Sequence, residues 1–191
     1  MSNILLASKS PRRRELLQHL GLPHTTISVA CDESYPAGLS PEETVCYVSR
    51  KKAKAAAEQH GSGELILTAD TMVFLDNRKF GKPADEKDAF QILRSLSGRE
   101  HAVCTGVTLL QDDRCLTEAE RTLVRFAPLT DDQIRAYIRT GEPMDKAGAY
   151  GIQGTGALLV EGVDGDFFNV MGLPIHRLSL MLESFGIRCL S

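Results

Sequence analysis

Two capping boxes fix where helices must begin in this chain. Ser40-Pro41-Glu42-Glu43 and Thr130-Asp131-Asp132-Gln133 each set a hydroxyl three residues before a Glu or Gln, so side chains satisfy the first N–H groups of a helix. The first predicts a long helix to about Gln59, the second a helix that stops at Gly141. Ser10-Pro11 reads as an N-cap with proline at the first helical position, for a helix ending at Gly21. Helices are also predicted over 85–96, with Gly98 just past the end, and over 174–185. Between them, the apolar or alternating runs 4–7, 25–30, 65–69, 72–75, 102–110, 116–124, 157–163 and 187–190 read as strands. Turns are expected at Asp76-Asn77 and Asp112-Asp113. Hairpins mixed with strand–helix alternation predict an α/β fold with a mixed sheet flanked by helices, not a purely parallel one. No repeat or linker splits residues 1–191, which read as a single domain.

Charge then narrows the partners. A net charge of −3 disfavours a general nucleic-acid binder, whose affinity comes from many Lys and Arg contacts to phosphate. No apolar run reaches the length of a membrane span, and the N-terminal apolar stretch is too short for a signal peptide, with its charges on the wrong side. Cys31, Cys46, Cys104, Cys115 and Cys189 are odd in number, widely spaced and free of any C-x-x-C, which predicts reduced thiols in a cytoplasm.

Candidate chemistry starts at the N-terminus. A strand, a Ser8-Lys9-Ser10-Pro11 turn and a helix start aim N–H groups and hydroxyls at one place, which suits an anion. Arg12, Arg13 and Arg14 fall in the first helical turn, where the macrodipole disfavours cations unless an anion compensates. The readings are a phosphate site or a solvated basic patch. On the second helix Val45, Val48, Ser49, Ala55 and Ala56 mark the less polar face, with Lys52 at its centre. An inward ammonium calls for an anion or carboxylate, unless its stem covers apolar surface while its head reaches water. Asp70 ends the most apolar strand, where ligands of open α/β sheets gather, although an Asp before Thr71 also suits a turn cap. Lys82 lies in a stiff Gly-Lys-Pro turn, and Asp32-Glu33 offers oxygen ligands for a hard cation or merely faces solvent. Gly148, Gly151, Gly154 and Gly156, interleaved with Tyr150 and Gln153, suit either a backbone approach to a flat base, with the Gln amide reading its edge, or a structural loop with several positive φ angles. His101 and His176 have no Ser or Cys at a triad-like spacing, and no Walker loop or G-x-S-x-G is present.

Taken in order, ASKSPRRRELL, the ADT of 69–71, GKP of 81–83, SGREHAVCTG of 97–106, DKAGAYGIQG of 145–154 and GDFFNVMGLP of 165–174 resemble the Maf-like nucleoside triphosphate pyrophosphatases across nearly the whole chain. The resemblance implies a two-lobed α/β fold with a central mixed sheet, similar to the inosine triphosphate pyrophosphatases, with the nucleotide in a cleft. It implies hydrolysis of a nucleoside triphosphate to monophosphate and pyrophosphate, a divalent metal (Mg2+ or Mn2+) and a homodimer. Carried over by position, Asp70 is the proton acceptor and touches the metal, Glu33 helps bind the metal, and Ser8, Arg13, Lys52 and Lys82 hold the triphosphate. Arg12, Thr71 and Gln153 stand where the choice of base is made, and the KAGAYGIQG run resembles the branch acting on dTTP and UTP rather than that acting on 7-methyl-GTP. Removal of modified nucleotides is within the same expectation. Rival readings are an ITP or XTP pyrophosphatase and a nucleotide-binding regulator of cell division or septum formation.

Overall fold

The chain, seen in a computed structural model that describes residues 3–61, 63–76 and 78–190, alternates strands and helices. The order is β1 (Ile4–Ala7), α1 (Pro11–His19), β2 (His24–Ile27), α2 (Pro41–His60), β3 (Leu65–Leu75), β4 (Arg78–Phe80), α3 (Glu86–Leu96), β5 (Glu100–Gln111), β6 (Arg114–Phe126), α4 (Asp131–Ile138), β7 (Val160–Asp164), α5 (Phe167–Met171) and α6 (Ile175–Ser184). The strands make a seven-stranded mixed sheet in the order β2-β1-β3-β5-β6-β7, with β4 on β3. The predicted α/β class with a mixed sheet is what the chain adopts.

By its contacts the chain divides into two compact units, one holding the chain up to Asp70, Thr105–Glu120 and Gly172 onward, the other Thr71–Cys104 and Arg121–Met171. In the first unit β1 pairs in parallel with β2 and with the start of β3, so that Leu6 faces Thr26 on one side and Leu67 on the other. Parallel neighbours need a crossover, and α1 and α2 supply the two. Both halves of the Ser40 capping box form, as predicted. The buried face of α2 (Thr44, Val45, Val48, Ser49, Ala53, Ala56) is built of small residues, which lets the helix lie low on the sheet. Gly106 of β5 takes this furthest, for a Cβ there would come within 2.4 Å of the Val45 carbonyl. Leu5, Ala7, Ala53, Ala56, Ile66 and Leu110 close the core at this level.

The second unit has a core of its own. Ala89, Ile92, Leu93 and Leu96, the i, i+3, i+4, i+7 stripe of α3, pack with Ile134, Tyr137 and Ile138 of α4 and with Val124 and Phe126 of β6. Truncating the fully buried Leu93 to Ala removes about 2–5 kcal/mol. Beyond α4 the chain runs through three short 3-10 turns, Glu142–Asp145, Ala147–Ala149 and Gly154–Leu159, where the sequence shows no period.

Three expectations are corrected. Residues 65–69 and 72–75 are one strand, not two. β1 pairs with its first half and β4 with its last, Val73–Leu75, so the backbone stays extended through the polar pair Asp70-Thr71. The strand expected over 157–163 starts only at Val160, the residues before it being taken up by a 3-10 turn. No strand forms over 187–190; Gly186 turns left-handed (φ 77°), the Ile187 N–H caps α6 on Leu182, and the four residues find no ladder partner. Of the expected turns, Asp112 lies in the hairpin with φ 49° and Asp76 has φ 51°, while Asn77 lies outside the described residues.

Candidate active site

Asp70 is the most enclosed carboxylate of the first unit, 6% exposed. It lies within β3, not at its end as expected, but three residues past Leu67, the last residue paired with β1, and so beyond the carboxyl end of that neighbour. Its Oδ1 accepts a hydrogen bond from Lys52 Nζ at 2.7 Å. Its Oδ2 is buried and accepts none. A carboxylate oxygen taken out of water without a donor is costly, and what relieves that cost is a proton or a cation.

The helix that carries Lys52 is clasped to the strand that carries Asp70. Ser49 Oγ donates to the Thr68 carbonyl (3.3 Å), and Thr68 Oγ1 donates back to the Ser49 carbonyl (2.7 Å). Lys52 comes three residues after Ser49 on α2, and Asp70 two after Thr68 on β3, so each lies on the same face as its clasping neighbour. The Ser49 hydroxyl oxygen also lies 3.0 Å from Thr108 Oγ1, which is bonded in turn to Thr117. The inward placement of Lys52 read from the helical wheel is therefore observed, with its side chain 17% exposed, although Ala53 rather than Ala55 is buried beside it.

Lys52 serves two acids, for its Nζ also lies 3.0 Å from Glu33 Oε1, whose side chain is 60% exposed. The Asp32-Glu33 pair is thus divided. Asp32 accepts from Lys51 Nζ at 2.8 Å and from Ser34, and those bonds hold its carboxyl well below the usual range. Glu33, not Asp32, is the one that meets Lys52. Among the described residues no group of three or more His, Cys, Asp or Glu side chains is arranged to hold a metal.

On the anion side, Arg13 is a strut. Its Nε donates to the Gly172 carbonyl (2.7 Å), and its Nη1 donates to the Ala69 carbonyl (2.8 Å) and the Ser8 hydroxyl (3.3 Å). The residue is half-buried, and desolvation of its guanidinium lowers the pKa to about 10, with Asp70 pulling the other way and Arg12 adding to the fall. It stays charged at neutral pH. Ser10 is the N-cap by position, yet its side chain caps nothing; its N–H instead donates to Ser8 Oγ. A pocket of about 330 Å³ opens here, lined by Ser8, Lys9, Ser10, Arg14 and residues 26–28. Hydroxyls, two cations and a helix start together suit phosphate oxygens.

The remaining sequence candidates belong to the second unit. Thr71 follows Asp70 along β3 and is half-buried. Lys82 is exposed on the 81–83 turn, which is tied by the Gly148 N–H to the Gly81 carbonyl (3.0 Å). Gln153 is exposed and stands at the N-cap of the 154–159 turn, to which its side chain makes no capping bond. Tyr150, offered by the sequence beside Gln153, is a core residue, 5% exposed, in edge contact with His101 and Phe126. His101 Nε2 lies 2.8 Å from the Tyr150 hydroxyl, and burial brings the His101 pKa down to about 4. That is a neutral core histidine, in keeping with the absence of a triad motif. Sequence reasoning missed the Ala69 and Gly172 carbonyls that aim Arg13, because a backbone acceptor leaves no mark on residue type. It also missed the Ser49–Thr68 clasp, whose one signal is two hydroxyls on otherwise apolar faces.

The first unit thus holds a lysine shared by two acids, one of them with a buried empty oxygen, and a charged arginine at a helix start. Residues 3–185 match the family model described as Maf-like protein. The chain belongs to the Maf-like family. A relative from Exiguobacterium sibiricum named dTTP/UTP pyrophosphatase is 50% identical over 96% of this chain and 93% of its own. Relatives of the same name from Symbiobacterium thermophilum and Moorella thermoacetica are 48% and 50% identical over 97% and 98% of this chain, and over 95% and 97% of their own. Among solved structures, the Ham1 protein of Staphylococcus aureus superposes with a TM-score of 0.56 at 14% identity over 95% of this chain and 98% of that one, a likeness of fold. Among the described residues no helix is long and apolar enough to cross a membrane.

Proposed function

We infer that this Maf-like chain hydrolyses nucleoside triphosphates to the monophosphate and pyrophosphate, with dTTP and UTP as preferred substrates. The observation that carries the chemistry is Asp70, buried, held on one oxygen by Lys52 and unpartnered on the other. The relatives' name supports the choice of nucleotide.

Hydrolysis between the α and β phosphates needs a water made nucleophilic and a leaving pyrophosphate whose charge is neutralised. Asp70 Oδ2, the acceptor without a donor, takes the proton of that water. Lys52, 2.7 Å from Oδ1, holds the carboxylate in place while Oδ2 does so. Arg13, Ser8 and the α1 start meet phosphate oxygens with a cation, a hydroxyl and the positive end of the helix dipole. By position in the family pattern, Lys82 adds a further cation to the triphosphate, while Arg12, Thr71 and Gln153 select the base.

The donors present fit a divalent magnesium or manganese ion. Asp70 and the largely exposed Glu33 supply two hard oxygens, and magnesium characteristically takes one or two carboxylates and completes its shell with phosphate and water. Those two residues would hold it, and when bound it supplies further neutralisation of phosphate charge. A cytoplasmic location is proposed on the five cysteines that stand as free thiols. A homodimer is proposed on the exposed apolar side chains Leu158, Val163, Phe167 and Phe168 of the second unit.

The test is release of pyrophosphate and monophosphate by the purified protein with magnesium across dTTP, UTP, CTP, ITP, GTP and 7-methyl-GTP. Turnover led by dTTP and UTP is the expected result. Preference for ITP overturns the substrate assignment, and inactivity on all six overturns the enzymatic one.

A further inference from the structure

Gln153 sits between two stretches of backbone that are held by one carboxylate. Glu142, partly buried, accepts three hydrogen bonds: Tyr137 Oη–H (2.9 Å) and the Gly156 N–H (3.1 Å) on Oε1, and the Thr155 N–H (3.0 Å) on Oε2. Tyr137 Oη then accepts from the Gly151 N–H at 3.1 Å. One acid therefore fixes the chain two residues before Gln153, through the tyrosine, and two and three residues after it, directly.

Physical chemistry explains why an acid does this. Thr155 and Gly156 open the 154–159 turn, whose first N–H groups have no partner within it, and Gln153 at its N-cap gives no side-chain acceptor. An ionised carboxylate makes the strongest neutral-donor bonds available and suits the positive end of the turn. Burial raises the Tyr137 pKa, so its hydroxyl stays protonated and donates to Glu142 while accepting from Gly151. The packing leaves no slack. A Cβ on Gly156 would meet the Gly151 carbonyl at 2.2 Å and Tyr137 Oη at 2.6 Å. On the other side, Lys146 Nζ donates to the Glu142 backbone carbonyl (2.7 Å) and to Asp145 Oδ1 (2.7 Å), which anchors the residue that carries the clamp.

We propose that Glu142, acting with Tyr137, is a positioning residue for base selection: it holds the 151–156 loop in the one conformation that presents the Gln153 amide to the substrate base. This rests on the reading of Gln153 as the residue that selects the base. Neither Glu142 nor Tyr137 needs to touch the nucleotide. A positional error of about 1 Å in such a group is enough to change rates by about a hundredfold.

The experiment is the ratio of kcat/KM for dTTP to that for ITP in the wild type, Glu142→Gln, Tyr137→Phe, Gln153→Ala and the Glu142→Gln/Gln153→Ala double variant, each with a melting temperature. The glutamine keeps the shape of the side chain but turns one oxygen into a donor that faces an N–H. The expected result is a fall in the ratio of about tenfold for Glu142→Gln, a smaller fall for Tyr137→Phe, and no further fall when Glu142→Gln is added to Gln153→Ala. A parallel loss on both nucleotides with the ratio intact means that the clamp is merely structural and overturns the proposal. So does an unchanged ratio in Glu142→Gln when Gln153→Ala lowers it, and there the base-reading role of Gln153 survives. If Gln153→Ala itself leaves the ratio unchanged, the underlying reading fails and the proposal falls with it. Should Glu142→Gln not fold, Tyr137→Phe decides, since it removes one oxygen from an otherwise intact ring.

Discussion

The two units bury polar groups in opposite ways. At its site the first unit sets ionisable side chains of opposite sign against one another: Lys52 lies between Asp70 and Glu33, and Arg13 lies close enough to Asp70 for the carboxylate to favour its charge. The second unit buries a cluster of neutral groups instead. Burial lowers the His101 pKa to about 4, and burial, with Tyr137 adding to it, drives that of Tyr150 up. Each cluster leaves one buried atom unpartnered, Asp70 Oδ2 in the first and His101 Nδ1 in the second. The lesson is that an empty buried acceptor has chemical use where the fold sets charged partners beside it.

That contrast can be broken most sharply at Asp70. Asp70→Asn removes the ionised acceptor and should cut turnover by about 10²–10⁴-fold while a non-hydrolysable nucleotide binds within a few-fold of the wild type. Near-normal turnover would show that the charge there is not used. Next in size, Lys52→Met leaves a buried carboxylate without its counter-ion. It should cost about 3–5 kcal/mol in urea denaturation, towards the lower figure because Glu33 is largely in water. The exposed Lys51–Asp32 pair is the control, and Lys51→Met should leave the urea midpoint unchanged.

The neutral cluster predicts a pH dependence of definite sign. The native pKa of His101 lies near 4 against 6.5 for the free side chain, so the unfolded chain takes up a proton that the native one refuses as pH falls. Stability is full above about pH 6.5 and is lost between there and about pH 4, by about 3 kcal/mol from this one group. The difference in stability between the wild type and His101→Gln, measured from pH 7 to 4, should shrink by that amount. A constant difference would mean that His101 is not held neutral. Smallest of all, Ser49→Ala removes one side of the clasp and the contact with Thr108, for about 1 kcal/mol.

Much of this was legible in the sequence where residue type and position coincide. The capping boxes at Ser40 and Thr130 start helices as predicted, and Lys52 faces inward because three and four residues bring α2 back to the same face. What could not be read depends on partners remote in the chain. The strand through Asp70-Thr71 looked broken because polar residues hide a backbone paired first with β1 and then with β4. The alternating tail of 187–190 looked like a strand but has no neighbour to pair with. Asp32 and Glu33 looked equivalent, and only the reach of Lys51 and Lys52 from the next turns of α2 separates them. The loop around Gln153 has the left-handed φ angles of the structural reading at Gly148 and Gly154, with a buried Tyr150 close to an exposed glutamine.

The bond from Arg13 Nε to the Gly172 carbonyl spans 159 residues. On a ribosome making a few residues each second, α1 is synthesised long before its arginine has anything to donate to at that end. Neither unit is a continuous stretch of chain, since the first needs residues on both sides of the second. A nascent chain halted before Gly172 therefore carries the Arg13, Lys52 and Asp70 side chains but not the acceptor that completes the aim of Arg13. For this molecule, the arginine made among the first residues is aimed in full only once Gly172, late in the chain, has been made.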